Sequence, residues 1–146
     1  MPNAQLFFSK EEKEAIKAAI EKAEFNTSGE VRVHIENTCK GDVLDRAAFL
    51  FDKLEMNKTE HRNGVLFFLA VKDKKFAVIG DAGINGVVEE HFWEEIKHAM
   101  TVNFKHGAFT KGLIAGIEST GKKLKKYFPH QKDDVNELSD EISFNH

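Results

Sequence analysis

Five oxygen-bearing side chains, Glu30, Asp81, Asn85, Glu89 and Glu90, are the residues of this chain best suited to chemistry, and Arg62 stands with them. Carboxylate and amide oxygens are the donors that hard divalent cations such as calcium and magnesium take. Arg62 offers a planar fork that matches the oxygens of a phosphate ester, and a metal beside it would polarise a phosphoryl group. Each reading has a plainer alternative. Acids are favoured at any solvated helix start by the helix dipole, and Arg62 could pair with Asp81 or Glu30 and close a sheet edge. The Asp-x-Asp-x-Asp-Gly order of an EF-hand loop is absent.

These residues are far apart in sequence, so other elements must bring them together. From Arg62 to Asp81 the chain has two apolar runs, Val65 to Val71 and Phe76 to Ile79, around the charged turn Lys72 to Lys75. That pattern predicts a β-hairpin. With the turn centred on Asp73, Asp81 falls opposite the start of the first hairpin strand, beside Arg62 and Asn63. Both strands are apolar on both faces, which predicts central strands covered on each side. From Glu30 to Glu36 the alternation is strict, with Val31, Val33 and Ile35 on one face and Glu30, Arg32, His34 and Glu36 on the other, as in a half-buried strand.

Helices account for the rest. Ser9 to Glu12 is a capping box at the head of a helix whose apolar stripe is Ala15, Ile16, Ala19, Ile20 and Ala23; Asn26 to Gly29 ends it. Lys40 to Asp42 opens a second helix with Val43, Ala47, Leu50, Phe51 and Leu54 inward. A third is expected from about Val87 to Asn103 and a fourth from about Phe109 to Tyr127, stopped by Pro129. Gly112 and Gly116 suggest close helix packing. The order α-β-α-β-β-α-α predicts a mixed sheet with helices on both faces. The first two strands, joined through one helix, are expected to run parallel with a right-handed crossover. Their N-terminal ends then share one edge, where Glu30 joins Arg62, Asn63, Asp81 and the head of the third helix.

Other candidates are weaker. The polar face of the Glu30 strand could be a binding surface with His34 as acid, base or ligand, or an ordinary solvent-facing strand with charge pairs. His91 and His98 are seven apart on one helix, too far for one zinc ion without help. Cys39 is the single cysteine, so no internal disulfide forms, and it is expected to be an inert, partly buried thiol. Trp93 is expected to pack rather than to offer a stacking platform. Lys122, Lys123, Lys125 and Lys126 suit the C-terminal end of a helix.

Composition bounds the function classes. A 146-residue chain with 41% hydrophobic and 31% charged residues is one globular domain with a real core. A net charge of −3 gives no field for nucleic acid. No stretch approaches the roughly 18 apolar residues of a membrane span, and Met1 to Gln5 lack a basic leader, so a cytoplasmic location is expected. Residues 133–146 carry five acids and no Lys or Arg, yet hold Val135, Leu138, Ile142 and Phe144. This tail is expected to pack in part on the body.

A family resemblance enters with several segments in order: Thr27-Ser28-Gly29-Glu30 before a strand, Asn63-Gly64-Val65-Leu66 before the hairpin, Gly80 with Gly83-Ile84 and Gly86-Val87 after it, and Phe104, Gly107 and Gly112 before the last helix. With Asn136-Glu137-Leu138 and Glu141-Ile142-Ser143-Phe144 near the C-terminus, the chain resembles the TPM domain family, in its short stand-alone bacterial form, from Phe8 to Tyr127. The resemblance implies an α/β/α sandwich, divalent-cation binding and, in some members, acid phosphatase activity or photosystem II repair. Many bacterial relatives are exported and membrane-anchored. The central loop departs from the common Gly-Tyr-Gly-Leu-Glu pattern: Asp81 and Ala82 lie between the glycines, and Asn85 stands where the Glu would be. Glu90 matches an acidic position of the family.

The combined expectation is a TPM-like α/β domain over residues 1–128, an α/β/α sandwich with a small mixed sheet, followed by an acidic tail over residues 129–146. Its expected ligand is calcium or magnesium on Glu30, Asp81, Asn85, Glu89 and Glu90. The alternatives are a metal-assisted phosphatase with Arg62 on a phosphate ester, and a protein-interaction module using the tail or the polar strand. No nucleic acid or membrane partner is expected, and no protein partner is named by the sequence.

Overall fold

The computed structural model describes residues 7–130 and 140–144. Helix α1, Lys10–Asn26, begins at the expected capping box: the Ser9 hydroxyl accepts from the Glu12 amide, and the Glu12 carboxylate accepts from the Ser9 amide at 2.9 Å. The Ser9 bond pulls the Glu12 carboxyl below its ordinary value, and Thr110 adds to this through a hydroxyl bond of 2.5 Å from the head of the last helix. Ser9→Ala is expected to cost about 1 kcal/mol, read as a lowered thermal midpoint, and Ser9→Asp, which keeps an acceptor at the cap, is expected to lose less. Ile16, Ala19, Ile20 and Ala23 are buried as expected, whereas Ala15 faces solvent.

Strand β1, Glu30–Glu36, runs parallel to β2, Gly64–Ala70, with Glu30 opposite Gly64 and Glu36 opposite Ala70. Strand β3, Lys75–Gly80, returns antiparallel, with Val65 opposite Gly80 and Ala70 opposite Lys75. The hairpin turn therefore falls around Asp73, as its charged residues require. A two-residue strand β4, Ser143–Phe144, pairs parallel with His34 and Ile35. The sheet order is β3-β2-β1-β4. Only β2 has the expected central place and is buried throughout; β3 lies at the sheet edge and is half-buried at both ends.

Helices cover both faces. Val31, Val33, Ile35, Val65, Phe67, Leu69 and Val78 meet α1 and two later helices, α4 (Phe92–Phe104) and α5 (Phe109–Tyr127), in the larger core. On the other face, Leu66, Phe68, Ala70 and Ala77 meet α2, Val43–Lys53, through Ala47, Leu50 and Phe51. Cys39 is buried there, as a small hydrophobe would be. A methyl placed on Gly116 would lie 2.6 Å from the Met100 side chain, and one on Gly112 2.2 Å from the Phe104 ring. Small residues are what let α4 and α5 approach.

The expected third helix begins later than its pattern suggests. Asp81 caps a single turn, α3 (Ala82–Asn85), by accepting from the Ala82 amide. The chain then leaves the helix, and α4 starts only at Phe92. After the restart Trp93 packs against Gly80, where an added methyl would sit 2.3 Å from the ring. In the C-terminal tail, Ile142 and Phe144 pack on the larger core. Its Val135 and Leu138 lie outside the described residues. Among the described residues, no helix is long and apolar enough to cross a membrane.

Candidate functional site

Parallel pairing of β1 with β2 and the return of β3 bring Glu30, Arg62, Asn63 and Asp81 to one rim of the sheet. The Glu30 amide donates to the Asn63 carbonyl at 3.2 Å, the Asp81 amide to the Gly64 carbonyl at 3.0 Å, and the Gly83 amide to the Arg62 carbonyl at 2.9 Å. Glu30, Asn63 and Asp81 are all buried.

The side chains at this rim are already engaged. Arg62 forks onto Asp81, with Nε on Oδ2 and Nη2 on Oδ1 at 2.7 Å each. Asp81 Oδ1 also accepts from the Ala82 amide at 2.7 Å. The Asp81 carboxylate holds the Arg62 guanidinium above its usual value. This fork anchors Arg62 in the left-handed region, φ 50°, which is strained for a residue with a Cβ. Asn85 donates its amide to the Gly80 carbonyl at 3.0 Å and accepts from the Trp93 indole at 2.8 Å, so both ends of its side chain are used. Glu89 lies 3.8 Å from Lys123, which also pairs with Glu95. Glu90 is exposed. Arg62 is thus turned to Asp81 rather than to an incoming phosphate. Among the described residues, no three His, Cys, Asp or Glu side chains form a group that could hold a metal ion.

Glu30 has a different neighbour from those expected. Glu24, near the end of α1, points at the start of β1, where its Oε2 accepts from the Val31 amide at 3.0 Å. Burial pushes the Glu24 carboxyl up to about 10, helped by a hydrogen bond to Asp140 and by the charges of Asp140 and Glu30; the Val31 amide works the other way. Glu24 therefore keeps its proton at neutral pH and donates it to Asp140. Three acids from α1, β1 and the C-terminal segment lie within electrostatic reach of one another. The helical pattern did not single out Glu24, and the one hint of Asp140 was the mixed acidic and apolar character of the tail.

The polar face of β1 is enclosed rather than solvated. Glu30, His34 and Glu36 are buried, and only Arg32 keeps partial access. Charges tolerate this when they are paired. Arg46 of α2 reaches back with Nε on Glu36 Oε1 at 2.8 Å and Nη2 on Oε2 at 2.7 Å. Burial alone would raise the Glu36 carboxyl, but this fork and His34 hold it low. Burial pushes the His34 imidazole below its ordinary value, against the pull of Glu36. A neutral ring donating Nε2–H to Glu36 at 3.2 Å leaves Nδ1 to accept from the Ser143 hydroxyl at 2.7 Å. Serine, histidine and carboxylate stand in the order of a hydrolytic relay. Here, however, the ring is covered by Phe68 and 5% exposed, and the glutamate is forked to arginine. The relay's work is to clasp β4 to β1.

Comparison with known proteins agrees with this fold. The solution structure of the BA42 protein from the psychrophilic bacterium Bizionia argentinensis superposes with a TM-score of 0.92 at 48% identity, over 99% of this chain and 100% of that one. Two more distant structures share the fold: the N-terminal domain of the cg2496 protein from Corynebacterium glutamicum (TM-score 0.65, 13% identity, 95% of this chain and 82% of that one) and an N-terminal domain from P. gingivalis (TM-score 0.68, 18% identity, 85% and 82%). A search of curated proteins finds no match. The sequence model of the TPM domain matches residues 3–123, and the chain belongs to the TPM domain family.

Proposed function

We propose that this chain binds a divalent cation of the magnesium or calcium kind where the end of α1, the start of β1 and the C-terminal segment meet. Glu24 and Asp140 would supply the carboxylates, and Glu30 the added negative field. The observation that carries this reading is the hydrogen bond between the Glu24 and Asp140 carboxyls, with the Glu30 carboxylate also acting on Glu24; the nearby Lys17, whose ammonium group feels Asp140, is engaged with Glu141. Two carboxylates forced together need either a proton or a cation between them. A magnesium ion is commonly held by one or two carboxylates and keeps several waters, so a cage of three side chains is not required. Of the five ligands expected from sequence, only Glu30 remains in this reading, because Asp81 and Asn85 are engaged with Arg62, Gly80 and Trp93. The cation would bind by displacing the Glu24 proton, so affinity would rise with pH.

Titration with magnesium and with calcium, followed by amide NMR at about pH 8, tests this. Shifts are expected at Glu24, Val31 and residues 140–144, with roughly tenfold weaker binding in Glu24→Gln and Asp140→Asn and at about pH 6. Glutamine mimics the protonated acid, so folding is retained. Shifts centred on Ala82 to Glu90, or binding indifferent to both substitutions, would sink the proposal.

A further inference from the structure

On the opposite side of the domain, between the end of β2, the start of β3 and the α4–α5 corner, lies a cavity of about 190 Å³. Its walls are Leu69, Phe76, Phe104 and Phe109, and Lys74 and Lys105 stand at its mouth. Phe76 and Phe104 meet edge to face at 4.9 Å and 84°, and Phe104 and Phe109 lie 5.4 Å apart, so the walls present both ring edges and ring faces. No acid lines the cavity. Both lysines are exposed, and among the described residues neither ammonium group has an acid or carbonyl partner. Lys75, by contrast, is bound to the Cys39 and Gly41 carbonyls, and Lys123 to Glu89 and Glu95.

We infer that this cavity is a binding site for a small aromatic monocarboxylate, an arylalkanoate whose ring enters among the phenylalanines while its carboxylate meets Lys74 and Lys105. The size selects the ligand. An enclosed dry cavity of about 150 Å³ takes a benzene molecule, so this cleft of about 190 Å³, open at one side, suits a single ring whose short chain reaches the opening. The charges select the head group: two ammonium groups at the rim of an apolar hole favour an anion that also carries apolar surface. A phosphate ion has no apolar body to bury, and a neutral arene gains nothing from the lysines. Edge-to-face contacts with Phe76 and Phe104 favour an aromatic body over an aliphatic one. The site shares no residue with the cation site proposed above and does not depend on it.

The test is a titration of the full chain with 3-phenylpropionate, followed by amide NMR, beside a titration with the neutral 3-phenylpropan-1-ol. Saturable shifts are expected at Leu69, Phe76, Thr101, Phe104 and Phe109, with the alcohol binding at least about tenfold more weakly. The double substitution Lys74→Glu and Lys105→Glu is expected to weaken the acid about tenfold or more and to leave the alcohol unchanged. Both lysines are at the surface, so this variant keeps its core. Shifts that do not saturate, a shift map centred elsewhere, or equal affinity for the acid and the alcohol would each overturn the assignment.

Discussion

With no divalent cation present, raising the pH from about 6.5 to about 9 is expected to detach the C-terminal segment, residues 140–144, from the sheet. Glu24 titrates at about 10 in the fold against 4.5 for the ordinary group. A carboxyl whose folded value is raised contributes stability that is full below about 4.5 and is lost as pH rises toward 10. Across those 2.5 units the loss is about 3 kcal/mol. The clasp holding β4 is of similar size: a two-residue ladder on β1, one partly buried hydrogen bond between Ser143 and His34, worth about 1 kcal/mol, the partial burial of Ile142 and Phe144, and an exposed pair between Lys17 and Glu141 that adds little. Letting Asp140 go is therefore the cheaper escape, and the domain need not unfold. His34 acts in the opposite direction. Its folded value is depressed, so protonating it below about pH 6.5 also weakens the clasp, and docking is strongest in between. Hydrogen exchange of the Ser143 and Phe144 amides at several pH values would show this directly. Glu24→Gln is expected to flatten the alkaline limb. If that variant keeps the full alkaline loss, the Glu24 proton is not the latch.

Gly83→Val is expected to destabilise the domain by about 3 kcal/mol and to break the Arg62–Asp81 fork. A Cβ at Gly83 would lie 2.3 Å from the His61 carbonyl oxygen and 2.6 Å from that of Arg62. Both obstacles are main chain, so relief requires moving the turn that holds Arg62 at its positive φ, and the Gly83 to Arg62 hydrogen bond goes with it. At Gly116 the nearest obstacles are side-chain atoms, Met100 Cγ and Sδ at 2.6 and 2.8 Å and the Phe67 ring at 3.0 Å, and the unbranched Met100 can change rotamer to relieve them. Gly116→Ala is expected to cost about 1 kcal/mol for that reason. Gly41 has nothing within 4 Å and serves as a control. Chemical denaturation of the three variants gives the order, and an NMR shift of the Arg62 Nε–H toward its free position reports the broken fork. A Gly83→Val protein as stable as Gly41→Ala would refute the tight approach.

What the sequence determined by itself was the set of elements and most of their boundaries. The Ser9 capping box, the alternation of Val31, Val33 and Ile35, the charged turn at Asp73 and the last helix from Phe109 to Tyr127 all stand where local pattern put them. Topology followed, because a single crossover helix leaves β1 and β2 parallel. Each of these depends on periodicity or on turn chemistry within one segment, and such information is local. The tertiary structure alone decided which charge meets which. It turned Asp81 to Arg62, drew Asn85 to Trp93, closed Arg46 over Glu36, and set Glu24 against Asp140 from the far end of the chain. It also made β3 an edge and enclosed the polar face of β1. Alternation reveals that two side chains share a face, but pairing and burial depend on a few ångströms between elements that no single segment encodes.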